Sequence, residues 1–135
     1  MGTWGAGPFD NDDAADWTWS FDGLDADAGV QLLRDALTLD DGPVDADDGV
    51  TAVAAAQVVA WMADPSAIDE SPYAESVVTW LRSTSPTADA GLIAAARAAL
   101  DRVAGDGSEL AELWDEAEDP AWREEITRLR AQLPG

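Results

Sequence analysis

Carboxylates dominate the side chains of this sequence that could do chemistry. Asp and Glu together number 28, against seven basic residues that are all Arg, with no His and no Cys. Without His, Cys and Lys, the chain cannot form a Ser-His-Asp triad, a cysteine nucleophile or a Schiff base. A reaction would have to use carboxylates, hydroxyls, Tyr73, Arg or a bound ion. We therefore expect a protein that is not an enzyme, with no catalytic residues and no cofactor.

The carboxylates are densest near the start of the chain, at Asp10, Asp12, Asp13 and Asp16. Glycosidases use two carboxylates in separate environments of a groove, and divalent cations need several converging oxygens. A helix would direct Asp12 and Asp13 apart, which favours neither arrangement. We predict no metal ligands here. A carboxylate-based divalent-metal-binding protein or metal-dependent enzyme is the alternative.

A second acidic stretch, residues 40–48, reads LDDGPVDADD with its preceding Leu39. It lacks the spacing of the EF-hand loop, D-x-[DN]-x-[DN]-G followed by a Glu. It could hold a cation weakly, but the composition favours a solvated acidic turn.

The net charge of −21 restricts the classes of partner. Residues 1–50 contain thirteen Asp and a single base, Arg34. Because nucleic-acid affinity comes from neutralising phosphates, the charge argues against direct nucleic-acid binding. It also argues against anionic membranes and leaves a basic protein as the expected partner. The alternative is an acidic, salt-adapted protein whose charge serves solubility only.

The apolar residues recur at helical spacing, and capping residues and helix breakers separate the segments. We therefore expect helices to position the acidic side chains. The third segment, about residues 47–63, is apolar on most sides and is predicted to be the central, most enclosed helix. Residues 17–21 also alternate with a period of two, so a short strand is the alternative there. The predicted helix N-caps are Asp10 or Asn11, Ser71 with Pro72 at the first helical position, and Thr87. The second helix is predicted to follow Asp25, the sixth to open at Ser108 and the last at Asp119-Pro120.

These patterns predict an all-α fold: one acidic helical domain over residues 1–135, an irregular bundle of six or seven helices with an irregular Gly-rich N-terminal segment. The spacing of Asp119 with Arg123, and of Glu124 with Arg128, predicts ion pairs within the last helix.

No secretory signal pattern is present, and the most apolar run, residues 50–62, is too short to span a membrane. We expect a cytoplasmic protein that does not enter a membrane; the sequence carries no signal for its oligomeric state.

Seven Trp are present, and most fall on apolar helix faces. Trp19 is the exception, because in a helix it points about 200° away from Trp17. An exposed Trp is typical of interface hot spots, although Trp19 could also pack beneath the N-terminal loop.

Two parts of the chain carry a family resemblance: the first 17 residues, MGTWGAGPFDNDDAADW, and the segment SELAELWDE at 108–116, which Trp122 follows. They resemble an uncharacterised bacterial family, domain of unknown function 4259. The resemblance implies a small, mostly helical, often acidic bacterial protein, and no activity.

The leading hypothesis is that the chain is a cytoplasmic, non-enzymatic protein-interaction module. In a specific version of this hypothesis, it has an immunity- or inhibitor-like role towards a basic partner such as a nuclease. Capping and packing account for most residues of the N-terminal segment, with its aromatic side chains folded back onto the bundle. The alternative is a recognition surface. Its predicted members are Trp4, Phe9, Asp12, Asp16 and Trp19.

Overall fold

The chain is built from α-helices. A computed structural model describes residues 7–68 and 74–134, and within them there are seven helices, two 3₁₀ turns (Trp19–Phe21 and Pro65–Ala67) and no strand. This confirms the all-α prediction. The helices are α1 (Asp12–Thr18), α2 (Ala26–Leu37), α3 (Ala46–Ala63), α4 (Glu75–Thr84), α5 (Ala90–Ala104), α6 (Glu109–Glu116) and α7 (Ala121–Gln132).

Helix α3 is the centre of the bundle, as predicted. Every residue from 52 to 62 is buried, and α1, α2, α5, α6 and α7 all pack against it. Most of the buried positions are Ala or Val, whose small side chains let neighbouring helices approach closely on several sides. Among the residues that the structure describes, no helix combines the length and apolarity that crossing a bilayer requires.

The helix starts follow the predicted capping residues, with one correction. Asn11, Asp25 and Ser108 each accept a hydrogen bond from a backbone N–H in the first turn of the helix that follows. Thr87 does not cap α5. Asp89 does so, because its Oδ1 accepts from the Leu92 N–H at 2.7 Å. The predicted cap at Ser71 lies outside the described residues.

Residues 17–21 are helical, so the strand alternative is wrong. Helix α1 continues directly into the 3₁₀ turn, which keeps Trp17 and Phe21 on neighbouring faces. Their rings meet edge to face with centroids 5.1 Å apart. Phe21 in turn contacts Trp80 of α4, with centroids 5.0 Å apart. These aromatic contacts favour the helical conformation over the extended one.

The two predicted ion pairs within α7 are also wrong. Arg123 forms a bidentate pair with Asp115 of α6, with both N–O distances at 2.9 Å. Arg128 pairs with Glu125, three residues before it, at 2.8 Å. Helix periodicity offers each Arg a partner on its own helix. It cannot show that the end of α6 lies within reach of α7.

Helices α2 and α3 begin with the same pattern, Asp-Ala-Asp-x-Gly-Val, so that Gly29 and Gly49 occupy equivalent positions. Both glycines are buried, but their surroundings differ. A Cβ built on Gly29 would overlap the Trp80 ring, whose Nε1 donates to the Asp25 carbonyl at 3.0 Å. A Cβ on Gly49 would meet Leu110 at 3.4 Å, an ordinary contact. Gly29 is therefore required by packing, and Gly49 is not.

We predict opposite effects for Gly29→Ala and Gly49→Ala on the free energy of unfolding, measured by urea denaturation. Alanine favours a helix over glycine by about 1 kcal/mol, so Gly49→Ala should be neutral or stabilising. Gly29→Ala should destabilise by about 1–3 kcal/mol, because the Trp80 ring must move to admit the methyl group. Similar effects of the two substitutions would contradict this account of the α2–α4 contact.

Candidate functional site

Three of the predicted surface residues lie on one exposed side of α1 and of the 3₁₀ turn that continues it. The opposite side of the helix packs into the bundle through Ala14, Ala15 and Thr18. This orientation leaves the other side to solvent. Asp12, Asp16 and Trp19 follow one another at spacings of four and three residues, so they share a side of the helical segment, and all three are exposed. We call these three residues the α1 face.

Trp19 is the most exposed large hydrophobic side chain among the described residues, with 65% of its surface accessible. The Trp17–Phe21–Trp80 contacts described above anchor the 3₁₀ turn from its inner side. Trp19 takes no part in an aromatic stack or cation–π contact within the described part of the chain. A large indole held in water without such a partner is the kind of side chain that interfaces bury.

Negative charge accumulates around the α1 face. The pKa of Asp13 is raised. The largest cause is partial desolvation, followed by a hydrogen bond with Asp47 of α3 and by repulsion from Asp47, Asp12 and Asp16. In residues 7–68 and 74–134, no ion pair includes a carboxylate of α1. The charge on this side is therefore not compensated within the described structure.

The remaining predicted residues lie elsewhere. Phe9 is only 5% exposed and stacks on Trp61 of α3, with ring centroids 5.5 Å apart and planes 28° from parallel. Its ring thus belongs to the core, as the packing alternative expected. Trp4 lies outside the described residues.

The acidic loop before α3 is held by a positive side chain. Arg102 Nη2 donates to the carbonyl oxygens of Asp40 and Gly42, both at 2.9 Å. Gly42 has a positive φ of 99°, a conformation that glycine adopts without strain. Considering only the described residues, no three Asp or Glu side chains converge as a metal site would require.

A second feature, a polar cleft of about 370 Å³, was not predicted from the sequence. Its polar groups include Gln57, which is only 3% exposed in the middle of apolar α3. Gln57 Nε2 donates to Gln132 Oε1 at 3.0 Å, and Arg128 Nη2 approaches Gln57 Oε1 at 3.4 Å. The sequence signal that could have indicated the cleft is Gln57 itself, an amide in a run of Ala and Val four residues before Trp61. The cleft is lined by residues 7–10, Gln57, Trp61, Ala67, Glu125, Arg128 and Gln132.

The family model described as Domain of unknown function (DUF4259) matches residues 2–125. The chain belongs to this family. The match confirms the family that the sequence resembles, and the description names no activity. Among curated proteins and among solved structures, none matches the chain. The chemistry of this DUF4259 chain is therefore inferred from the α1 face and the polar cleft themselves.

We predict that Asp13→Asn raises the melting temperature at pH 7 and low salt. A raised carboxyl pKa means that ionised Asp13 destabilises the folded state, so the gain is fully present above the folded pKa. The gain should disappear as the pH falls below 3.8, the ordinary Asp value, where the group is protonated in both states. Thermal melts at both pH values measure this effect.

Asp106→Asn, in the exposed loop between α5 and α6, is the matched control for the loss of one negative charge. Added salt should shrink the Asp13→Asn gain, because screening weakens repulsion between exposed carboxylates. A gain no larger than that of Asp106→Asn would show that neither desolvation nor the neighbouring carboxylates destabilise the ionised form of Asp13.

Proposed function

We propose that this chain is a non-enzymatic protein-interaction module of the bacterial cytoplasm whose partner is a basic protein. The observation that carries the proposal is the α1 face: Trp19, 65% exposed, beside Asp12 and Asp16 on one side of a helix. The buried opposite side of α1 fixes the direction of this face, so that little ordering is needed when a partner binds.

The residues of the α1 face match a Lys or Arg side chain of the partner. A cation over an indole ring is attracted by the negative face of the ring, and Trp is the best aromatic residue for this contact. Asp12 and Asp16 supply carboxylates within one to two turns of Trp19. Exposed ion pairs contribute little alone, so most of the affinity should come from burying the Trp19 ring.

The overall charge supports the same class of partner. A net charge of −21 raises the rate at which a positively charged protein encounters this one. In the specific form of the proposal, the partner is a basic enzyme such as a nuclease. The acidic surface would then occupy the region that otherwise binds phosphates, in an immunity- or inhibitor-like role.

Action by binding rather than by catalysis is supported by the available side chains. The sequence lacks His, Cys and Lys, and the α1 carboxylates stand on an exposed helix surface rather than in a groove. Catalytic pairs of carboxylates work from a groove that holds the substrate between them, and the α1 carboxylates have no such groove around them.

We predict that Trp19→Ala weakens partner binding about tenfold or more, since truncating a hot-spot Trp typically costs about 2 kcal/mol. Immobilised protein is incubated with lysate of the source organism at low and moderate salt, and retained proteins are identified and quantified. Leu113→Ala is the matched control, because Leu113 is the other exposed large hydrophobic residue described, with 51% of its surface accessible on α6. It should leave retention unchanged.

The charge of the α1 face is tested by Asp12→Asn/Asp16→Asn against Asp40→Asn/Asp41→Asn, which removes two exposed charges from a loop. Only the first pair should reduce retention strongly at moderate salt. If both pairs act equally and Trp19→Ala has no effect, the charge attracts basic proteins without a specific surface, and the proposal fails. Retention of no basic protein by the unmodified chain would also contradict it.

A further inference from the structure

The polar cleft contains an arrangement that the packing of the bundle does not require. Gln57 is the polar exception in the buried run of α3, and a buried amide costs free energy unless it is hydrogen-bonded. Its bonding partners, Gln132 and Arg128, come from α7 and line the cleft themselves. Within the described residues, Gln132 Nε2 donates no hydrogen bond. Gln132 therefore offers amide hydrogens within the cleft to an incoming acceptor.

The charges of the cleft favour a cation at its rim. Arg128 is compensated by Glu125, with Nε and Oε2 2.8 Å apart. Asp10 has no ion-pair partner among the described residues, and its Oδ2 accepts only from the Gly7 N–H at 3.1 Å. Oδ1 of Asp10 is left to bind a donor. An anion would meet this carboxylate and the charge of the whole chain, so phosphates and dicarboxylates are disfavoured.

The size of the cleft sets the size of its occupant. A volume of about 370 Å³ is near the lower limit of typical ligand pockets, which run from about 300 to 1,000 Å³. Such a volume suits one long side chain with its adjoining peptide groups. The cleft also adjoins the start of α1, because Asp10 lies two residues before the helix. At about 1.5 Å of rise per residue, Trp19 is on the order of 10 Å beyond the first residue of α1.

We infer that the cleft binds one Arg or Lys side chain of the basic partner. The guanidinium or ammonium group bonds to Asp10, and the adjoining peptide carbonyl accepts from Gln132 above Gln57. This inference rests on the proposed function, since it assigns a second contact to the same partner. Trp19 and the cleft then lie near opposite ends of one short helix and are occupied together.

The test is a titration of the full ¹⁵N-labelled chain with acetyl-Gly-Arg-Gly-amide, followed by NMR. The matched control peptide carries citrulline, which is nearly isosteric with Arg and uncharged. The side-chain amide signals of Gln57 and Gln132 report on the cleft, and the indole signal of Trp19 reports on the α1 face. We expect the Gln signals to shift with the Arg peptide and to stay in place with the citrulline peptide.

Two substitutions should change the affinity for the Arg peptide in opposite directions. Asp10→Asn retains an oxygen for the Gly7 N–H but removes the charge, and should weaken binding about tenfold, as expected for a lost charged hydrogen bond. Arg128→Gln removes the competing cation and should tighten binding. Asp106→Asn controls for the general loss of one negative charge. Damage to the fold alone would not tighten binding, so Arg128→Gln separates recognition from structure.

The outcomes distinguish this inference from the proposed function. A shift of the Trp19 indole without any shift of Gln57 or Gln132 overturns the cleft as a site and leaves the α1 face in place. Equal shifts with Arg and citrulline overturn the role of charge at Asp10. If the Gln57 and Gln132 signals shift and the Trp19→Ala variant still retains the partner, the first result supports the cleft and the second contradicts the α1 face.

Discussion

The enclosure of α3 is the constraint on which the rest of the structure depends. A helix that is covered on nearly all sides favours small or apolar side chains, and residues 52–62, which are mostly Ala and Val with Gln57 as the one polar side chain, meet this requirement. Five other helices use it as their common packing surface. Since the core is formed there, the outer helices can expose their remaining faces to water and carry many charges. The acidity of the chain is thus compatible with a well-packed interior, because charge and core are separated by helix face.

The same separation explains how the two candidate sites arise. On α1, Ala14, Ala15 and Thr18 bind the helix to the bundle, and Asp12, Asp16 and Trp19 are held outward as a consequence. The polar cleft has the opposite origin, because it forms where an amide interrupts the apolar surface of α3 and α7 supplies polar partners. One site is an outward helix face and the other an opening into the core, and both are fixed in position by the central helix.

Local sequence signals predicted most of the fold. Asn11, Asp25 and Ser108 cap the helices as their residue types indicated, because capping depends on a few neighbouring atoms. The prediction failed where partners come from other helices: Arg123 pairs with Asp115 of α6, and Asp89, which caps α5 in place of Thr87, also pairs with Arg34 of α2. For the candidate site, the angle between Trp19 and Trp17 separated Trp19 from the packed face, but the sequence left open whether Trp19 is exposed or packs beneath the N-terminal loop. The cleft was not predicted, since nothing in the sequence places α7 beside Gln57 of α3.

The enclosure of α3 also orders the ways in which the protein opens. Backbone amides in the middle of this helix can exchange their hydrogens with solvent only when the surrounding helices separate, which amounts to global unfolding. Helix α1 is only seven residues long and depends on one packed side, so it can open at a smaller free-energy cost. Hydrogen exchange would therefore divide the chain into a slow central unit and a faster N-terminal one. Because that faster unit carries the α1 face, a bound partner would slow its exchange while leaving the centre of α3 unchanged.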